Sequence, residues 1–136
     1  MIEVAAVILT RRDERENDSR NGAEILICQR PEGSHCSLLW EFPGGKVEAE
    51  ETPEACVVRE CLEELNLQVR LKSVYAEFTY RYPDRKIAFT FFRGWVEAGE
   101  MVLRAHHDAR WVRREELGTY EFCPADEAIV KKLQHT

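Results

Sequence analysis

Residues 44–67, G-G-K-V-E-A-E-E-T-P-E-A-C-V-V-R-E-C-L-E-E-L-N-L, constrain this chain more than any other stretch. They read as a glycine turn, an acidic loop and a helix. Thr52 is a good N-cap residue, Pro53 fits the first helical position where its missing N–H costs nothing, and Glu54 suits the positive helix end. The pattern predicts a helix over 52–65. At roughly 100° per residue, Ala55, Val58, Leu62 and Leu65 share one stripe, which is the expected core face. Glu60, Glu63 and Glu64 fall on the opposite side, within about one turn of each other. Carboxylates crowded in this way repel, and helix propensity alone does not ask for them. A divalent cation would remove the repulsion, and hard oxygen ligands with room left for water and phosphate oxygens suit Mg²⁺ or Mn²⁺. The bland alternative is a solvated acidic face.

The surrounding residues decide between these two readings. Gly45, Glu51, Arg59, Glu60, Glu63 and Glu64 stand at the spacing G-x5-E-x7-R-E-U-x-E-E-x-G-U, which closely resembles the Nudix box. Asn66 replaces the last glycine, and Asn is the residue that best tolerates the left-handed conformation at a helix end. Cys61 stands where a larger apolar residue is usual. Upstream, W-E-F-P-G-G-K-V-E over 40–48 is similar to the MutT branch, whose members hydrolyse nucleoside triphosphates to the monophosphate and pyrophosphate.

The resemblance implies a set of roles. Glu63 and Glu64 would be metal ligands, Glu60 a ligand or the general base, and the Gly44 carbonyl a further ligand. Arg59 and Glu51 would pair beneath them as orienting groups. Arg30 would reach the nucleotide, and His35 and Phe42 would line the base pocket. Phe42 could equally be a core aromatic, since stacking on a base and filling a core ask for the same side chain. Arg85, in a Y-P-D-R hairpin tip, would lie near the base or be a solvated tip residue. Asp126, in P-A-D-E-A-I-V, would read the base edge, or would serve only to compensate the helix dipole. An ionised carboxylate only accepts hydrogen bonds, so a charged Asp126 would favour guanine's adjacent donors over cytosine's mixed edge. Relatives commonly carry another metal-binding glutamate in a later loop, but ungapped counting puts Ala105 there. His106, His107 or Asp108 would have to substitute, unless the segment is a plain polar loop.

Composition bounds the rest. A chain of 136 residues with 44% hydrophobic content suits one globular domain over residues 1–136. A net charge of −6 argues against gripping a nucleic-acid polymer through its backbone, while a small polyanion held through a metal stays compatible. The 5 cysteines form no C-x-x-C pair and are odd in number, so they are expected to be reduced thiols in a cytoplasmic protein. The short apolar run over 4–9 lacks the basic region and length of a signal peptide, and no stretch is long enough to span a membrane.

In chain order, 2–10 reads as a buried strand, 11–22 as a charged surface loop, and Asn21-Gly22 as a hairpin turn returning 23–30 antiparallel to the first strand. Residues 68–82 and 86–96 read as a long antiparallel hairpin, and 110–112 as a short strand. Glu115, Glu116 and Leu117 suggest a helical turn, and a last helix over 124–133 would bury Ala128, Ile129, Val130 and Leu133. The expected fold is the Nudix α/β/α sandwich, an α/β fold with a mixed sheet between the box helix and the C-terminal helix. The expected function is Mg²⁺-dependent pyrophosphate release from a nucleoside triphosphate, first of all 8-oxo-dGTP, by a monomer or homodimer. CTP, dCTP or a methylated pyrimidine triphosphate is the second reading. A non-catalytic module that senses a nucleotide is a third, disfavoured because every box carboxylate is present.

Overall fold

The computed structural model describes residues 1–11 and 24–135. The expected 11–22 loop and its Asn21-Gly22 turn therefore fall almost wholly outside the described residues. Strand β1 (Ile2–Arg11) is the axis of the sheet. It runs parallel to β6 (Lys86–Ala98) from Ile2↔Ile87 to Thr10↔Trp95. Along its other edge β1 meets two different strands, β4 (Gly44–Lys46) at Val4 to Ala6 and β2 (Glu24–Gln29) at Thr10 and Arg11, both antiparallel. The edge thus forks. Strand β3 (Trp40–Glu41) pairs with β2, and the turn from β3 into β4 lies in the fork, where the Val7 amide donates to the Pro43 carbonyl at 2.9 Å. Strand β5 (Gln68–Arg81) forms the expected hairpin with β6, and β7 (Asp108–Arg113) pairs with β2. The result is a 7-stranded mixed sheet among the described residues.

Period-two alternation distributes β1 between two cores. Ala5, Val7 and Leu9 face helix α1 (Pro53–Leu65), with Cys56, Val57, Cys61 and Leu65. Ala6 and Ile8 face helix α2 (Pro124–Gln134), with Phe42, Phe91, Ile129 and Leu133. A helix therefore covers each face of the sheet, as the α/β/α expectation requires.

The local signals for α1 act as their chemistry predicts. The Thr52 hydroxyl accepts from the Ala55 amide at 3.1 Å, and Asn66 takes the left-handed conformation at φ 59°, with its amide on the Leu62 carbonyl at 3.1 Å. The buried face differs from expectation. Val58 and Leu62 are 41% and 45% exposed, while Cys56, Val57, Cys61 and Leu65 are the buried residues. Glu60 and Glu64 consequently flank the buried face instead of pointing away from the sheet. In α2, Ala128 is exposed, and Ala125 and Asp126 are buried in its place.

Candidate active site

A cavity of ≈ 410 Å³ opens at the fork of β1. Of the residues singled out from sequence, Arg30, Phe42, Gly44, Glu60, Glu64 and Asp126 line it. A shallower groove of ≈ 840 Å³ runs nearby past Lys46, Glu51 and Arg85, but contains none of Glu60, Glu63 and Glu64.

One end of the cavity is acidic. Glu60 reaches it because Gly45 has no side chain: a Cβ there would lie 2.6 Å from the Glu60 carboxyl carbon. Glu64 is one helical turn further on, and its carboxyl lies beside that of Glu60. Burial first, then Glu60 and the nearby Glu41, pushes Glu64 well above the usual carboxylate range. Two half-buried carboxyls one helical turn apart are a natural seat for a divalent cation, whose charge reverses the penalty of ionising both. The donor set is all oxygen, which fits Mg²⁺ or Mn²⁺, with Glu60 and Glu64 as the protein carboxylates. Among the described residues, no group of three His, Cys, Asp or Glu side chains is already gathered to hold a metal, so further ligands would come from water, backbone oxygen or substrate.

Arg59 runs along the back of this acidic end. Its Nε donates to Glu51 Oε2 at 2.7 Å and Nη2 to Glu51 Oε1 at 2.9 Å, a two-point fork. This pairing holds the Glu51 carboxyl down at about 2. Arg59 Nη1 also donates to Glu60 at 3.0 Å and Glu63 at 3.2 Å. Glu63 is 59% exposed, and the structure does not bring it into the cavity. The same arginine thus aims Glu60 and holds Glu63 outside.

The other end is suited to a flat, partly polar ring. Phe42, 2% exposed, stacks on Phe122 at 5.6 Å and meets Phe91 edge-on at 6.3 Å. It is a core aromatic that also supplies cavity wall. Its amide donates to Asp126 Oδ1 at 3.0 Å. Asp126, 7% exposed, is held by burial first and by the charge of Glu41 second, which push its pKa up to about 8. The purely accepting form was expected of a charged Asp126; with its pKa raised this far, the group near neutral pH keeps its proton and offers one donor beside one acceptor.

Two expected base contacts lie elsewhere. His35 is exposed, with its ring edge-on to Tyr82 at 5.8 Å. Arg85 is exposed above the Tyr82 ring, with its guanidinium carbon 6.0 Å from the centroid, and borders the shallower groove. His35 sits in the connection between β2 and β3 and Arg85 at the tip of the β5–β6 hairpin, and neither lines the cavity that holds Asp126.

Of two further residues in the cavity, Glu41 was not selected from sequence and His106 was offered only as a substitute metal ligand. Glu41, next to Phe42 on β3, pairs through Oε1 with Arg30 Nη1 at 3.0 Å. Its signal lay inside W-E-F-P, where a charge between two buried aromatics marks the other face of a strand. The 106–108 run suggests His106 only as a metal ligand, and nothing local marks it as a partner of Glu41. Ala105 lines the cavity with no ligating atom, His107 is exposed, and Asp108 is bound to Arg110 Nε at 3.0 Å.

Comparison with known proteins gives one consistent picture. The family model described as NUDIX domain matches residues 1–133. An 8-oxo-dGTP diphosphatase of Escherichia coli (strain K12) is 35% identical over 111 residues, 82% of this chain and 86% of the relative. A CTP pyrophosphohydrolase of the same strain is 32% identical over 126 residues, covering 93% and 86%. Among solved structures, the E. coli ORF135 protein superposes with a TM-score of 0.78 at 31% identity, covering 99% of this chain and 89% of that one.

Proposed function

Since a family model and relatives above 30% identity span most of its length, the chain belongs to the Nudix family, and from that premise we propose that it hydrolyses a nucleoside triphosphate to the monophosphate and pyrophosphate. The observation that carries the reading is the single cavity with Glu60 and Glu64 at one end and Asp126 at the other. A nucleotide lying along it puts its phosphates against the acidic end and its base against the polar one. A divalent cation at Glu60 and Glu64 would neutralise phosphate charge and lower the pKa of bound water. The chain's own part is positional. Arg59 aims Glu60, Gly45 leaves it room, and Arg30 supplies a cation within the cavity, held by Glu41. The Ser34 hydroxyl at the cavity wall donates to the Pro31 carbonyl at 2.7 Å and has no base beside it to activate it, which favours water as the nucleophile in this reading.

For the base we propose 8-oxoguanine. A protonated Asp126 complements a donor beside an acceptor, and 8-oxoguanine presents N7–H beside O6, whereas guanine presents two acceptors on that edge. Cytosine, with its amine beside N3, satisfies the same pair, and the CTP pyrophosphohydrolase relative makes it the second reading. A panel of 8-oxo-dGTP, dGTP, CTP and dCTP with Mg²⁺, reading pyrophosphate against phosphate, tests both. We expect pyrophosphate from every good substrate and 8-oxo-dGTP ahead of dGTP by roughly 10- to 100-fold, as a 1–3 kcal/mol mismatch gives. Release of single phosphate overturns the cleavage site. Tight binding without turnover points to a sensing module.

Gly45→Ala tests the room left for Glu60. The added methyl forces the carboxyl aside, so kcat should fall about 10-fold or more while thermal stability changes by only a few degrees. Wild-type kcat in this variant would show that Glu60 need not occupy this place.

A further inference from the structure

The loop from Gly99 to His107 has no regular structure, yet main-chain bonds fix it on both sides of His106. The Arg104 amide donates to the Glu64 carbonyl at 3.1 Å, and the His107 amide to the Gln29 carbonyl at 2.9 Å. Arg104 Nη1 also caps α1, donating to the Leu62 and Glu63 carbonyls at 3.2 Å each. These anchors deliver an imidazole that is only 4% exposed into the cavity wall. His106 Nε2 lies 3.2 Å from Glu41 Oε2 and 3.8 Å from Glu64 Oε2, while Nδ1 is buried with no partner.

That asymmetry selects the tautomer. With the proton on Nδ1, a buried donor would be unpaired, and the Nε2 lone pair would face carboxylate lone pairs. With the proton on Nε2, the donor meets Glu41 and only an acceptor goes unpaired, the cheaper error. A histidine ligating a metal through Nε2 would donate from Nδ1 to a carbonyl or carboxylate, and none is there.

The geometry points to His106 as a positioning residue: its Nε2–H holds Glu41 between Arg30 and the Glu64 end of the cavity, tying the nucleotide side of the site to the cation side. Glu41 takes His106 on one oxygen and Arg30 on the other, so losing the imidazole leaves Arg30 as its remaining side-chain partner and loosens the Glu41–Arg30 pair. The inference rests on the proposed function for its kinetic arm only.

The test compares His106→Leu and His106→Gln with wild type, and follows the imidazole nitrogens by ¹⁵N NMR with and without Mg²⁺. Leu removes the donor, and we expect KM for the nucleotide to rise about 10-fold or more with a smaller change in kcat. Gln restores an N–H near Nε2 and should bring KM back to within about threefold of wild type. The NMR should show a protonated Nε2 that stays protonated when Mg²⁺ is added. Equal KM values in wild type and His106→Leu overturn the proposal, as does equal failure of both variants. Loss of the Nε2 proton on adding Mg²⁺ would make His106 a ligand and also overturn it. Should the wild type hydrolyse no nucleoside triphosphate, the proposed function falls, while the tautomer and its response to Mg²⁺ still decide the role of His106.

Discussion

Glu64→Gln is expected to leave a folded protein that has lost nearly all hydrolysis. The amide keeps the volume of the side chain and its reach toward Glu60, but not the charge a divalent cation needs. In the wild type this carboxyl is half-buried beside Glu60 and Glu41, which is why it resists ionising. Gln removes that conflict, and its N–H donates to the Glu60 carboxylate. Stability should therefore be unchanged or slightly higher, while activity falls. Losing one of the two carboxylates at the acidic end of the cavity should lower kcat/KM by at least ~100-fold, about 2.7 kcal/mol of transition-state stabilisation. Calorimetric titration should show a parallel loss of Mn²⁺ or Mg²⁺ affinity. Glu60→Gln should behave alike, and the exposed Glu54→Gln serves as a control expected to stay near wild type. A Glu64→Gln rate within about threefold of wild type would mean the acidic face is merely solvated.

The second large effect concerns Asp126 and pH. In the folded protein this carboxyl keeps its proton up to about 8, against an ordinary value of 3.8. Between those values the folded state binds more protons than the unfolded chain. The group's contribution is therefore fully present below about pH 4, falls as pH rises, and is gone above about pH 8. The limiting slope is about 1.4 kcal/mol per pH unit. Asp126→Asn retains a donor, an acceptor and the bond from the Phe42 amide, but cannot ionise. Wild type should thus lose roughly 2 kcal/mol or more relative to this variant between pH 5 and pH 8, measured by urea denaturation across that range. The preference for 8-oxo-dGTP over dGTP should shrink above pH 8 in wild type and hold in the variant. Parallel stability curves would show that Asp126 ionises normally and that burial does not govern it.

Both experiments turn on side chains whose position the sequence displayed and whose state it did not. Asp126 is legible as a polar residue in the first turn of α2. Its surroundings include Phe42 and the charge of Glu41, more than 80 positions away, and burial together with that charge turns an accepting carboxylate into a donor and acceptor. The carboxylates of α1 are legible as a cluster, but its members separate in the fold. Glu60 and Glu64 face the fork of β1, and Arg59 holds Glu63 at the rim.

What the sequence by itself determined is the part governed by neighbours within a turn or two. Thr52, Pro53 and Asn66 set the limits of α1 through bonds to their own backbone, and the β5–β6 hairpin follows from β-branched and aromatic runs around Pro83-Asp84. The box spacing carried the family because its residues lie on one continuous segment. Only the tertiary structure decided which stripe of α1 is buried. Val58 and Leu62 are as apolar as Val57 and Cys61, and periodicity alone cannot rank the two faces. The fork in β1 does, by admitting Glu60 over Gly45 and Glu64 into the cavity, with Cys56, Val57 and Cys61 turned inward. For the same reason His35 and Arg85 lie outside the cavity and Glu41 and His106 lie in it. Contact between residues far apart in the chain depends on how strands register and loops are pinned, which the fold as a whole settles and no local stretch encodes.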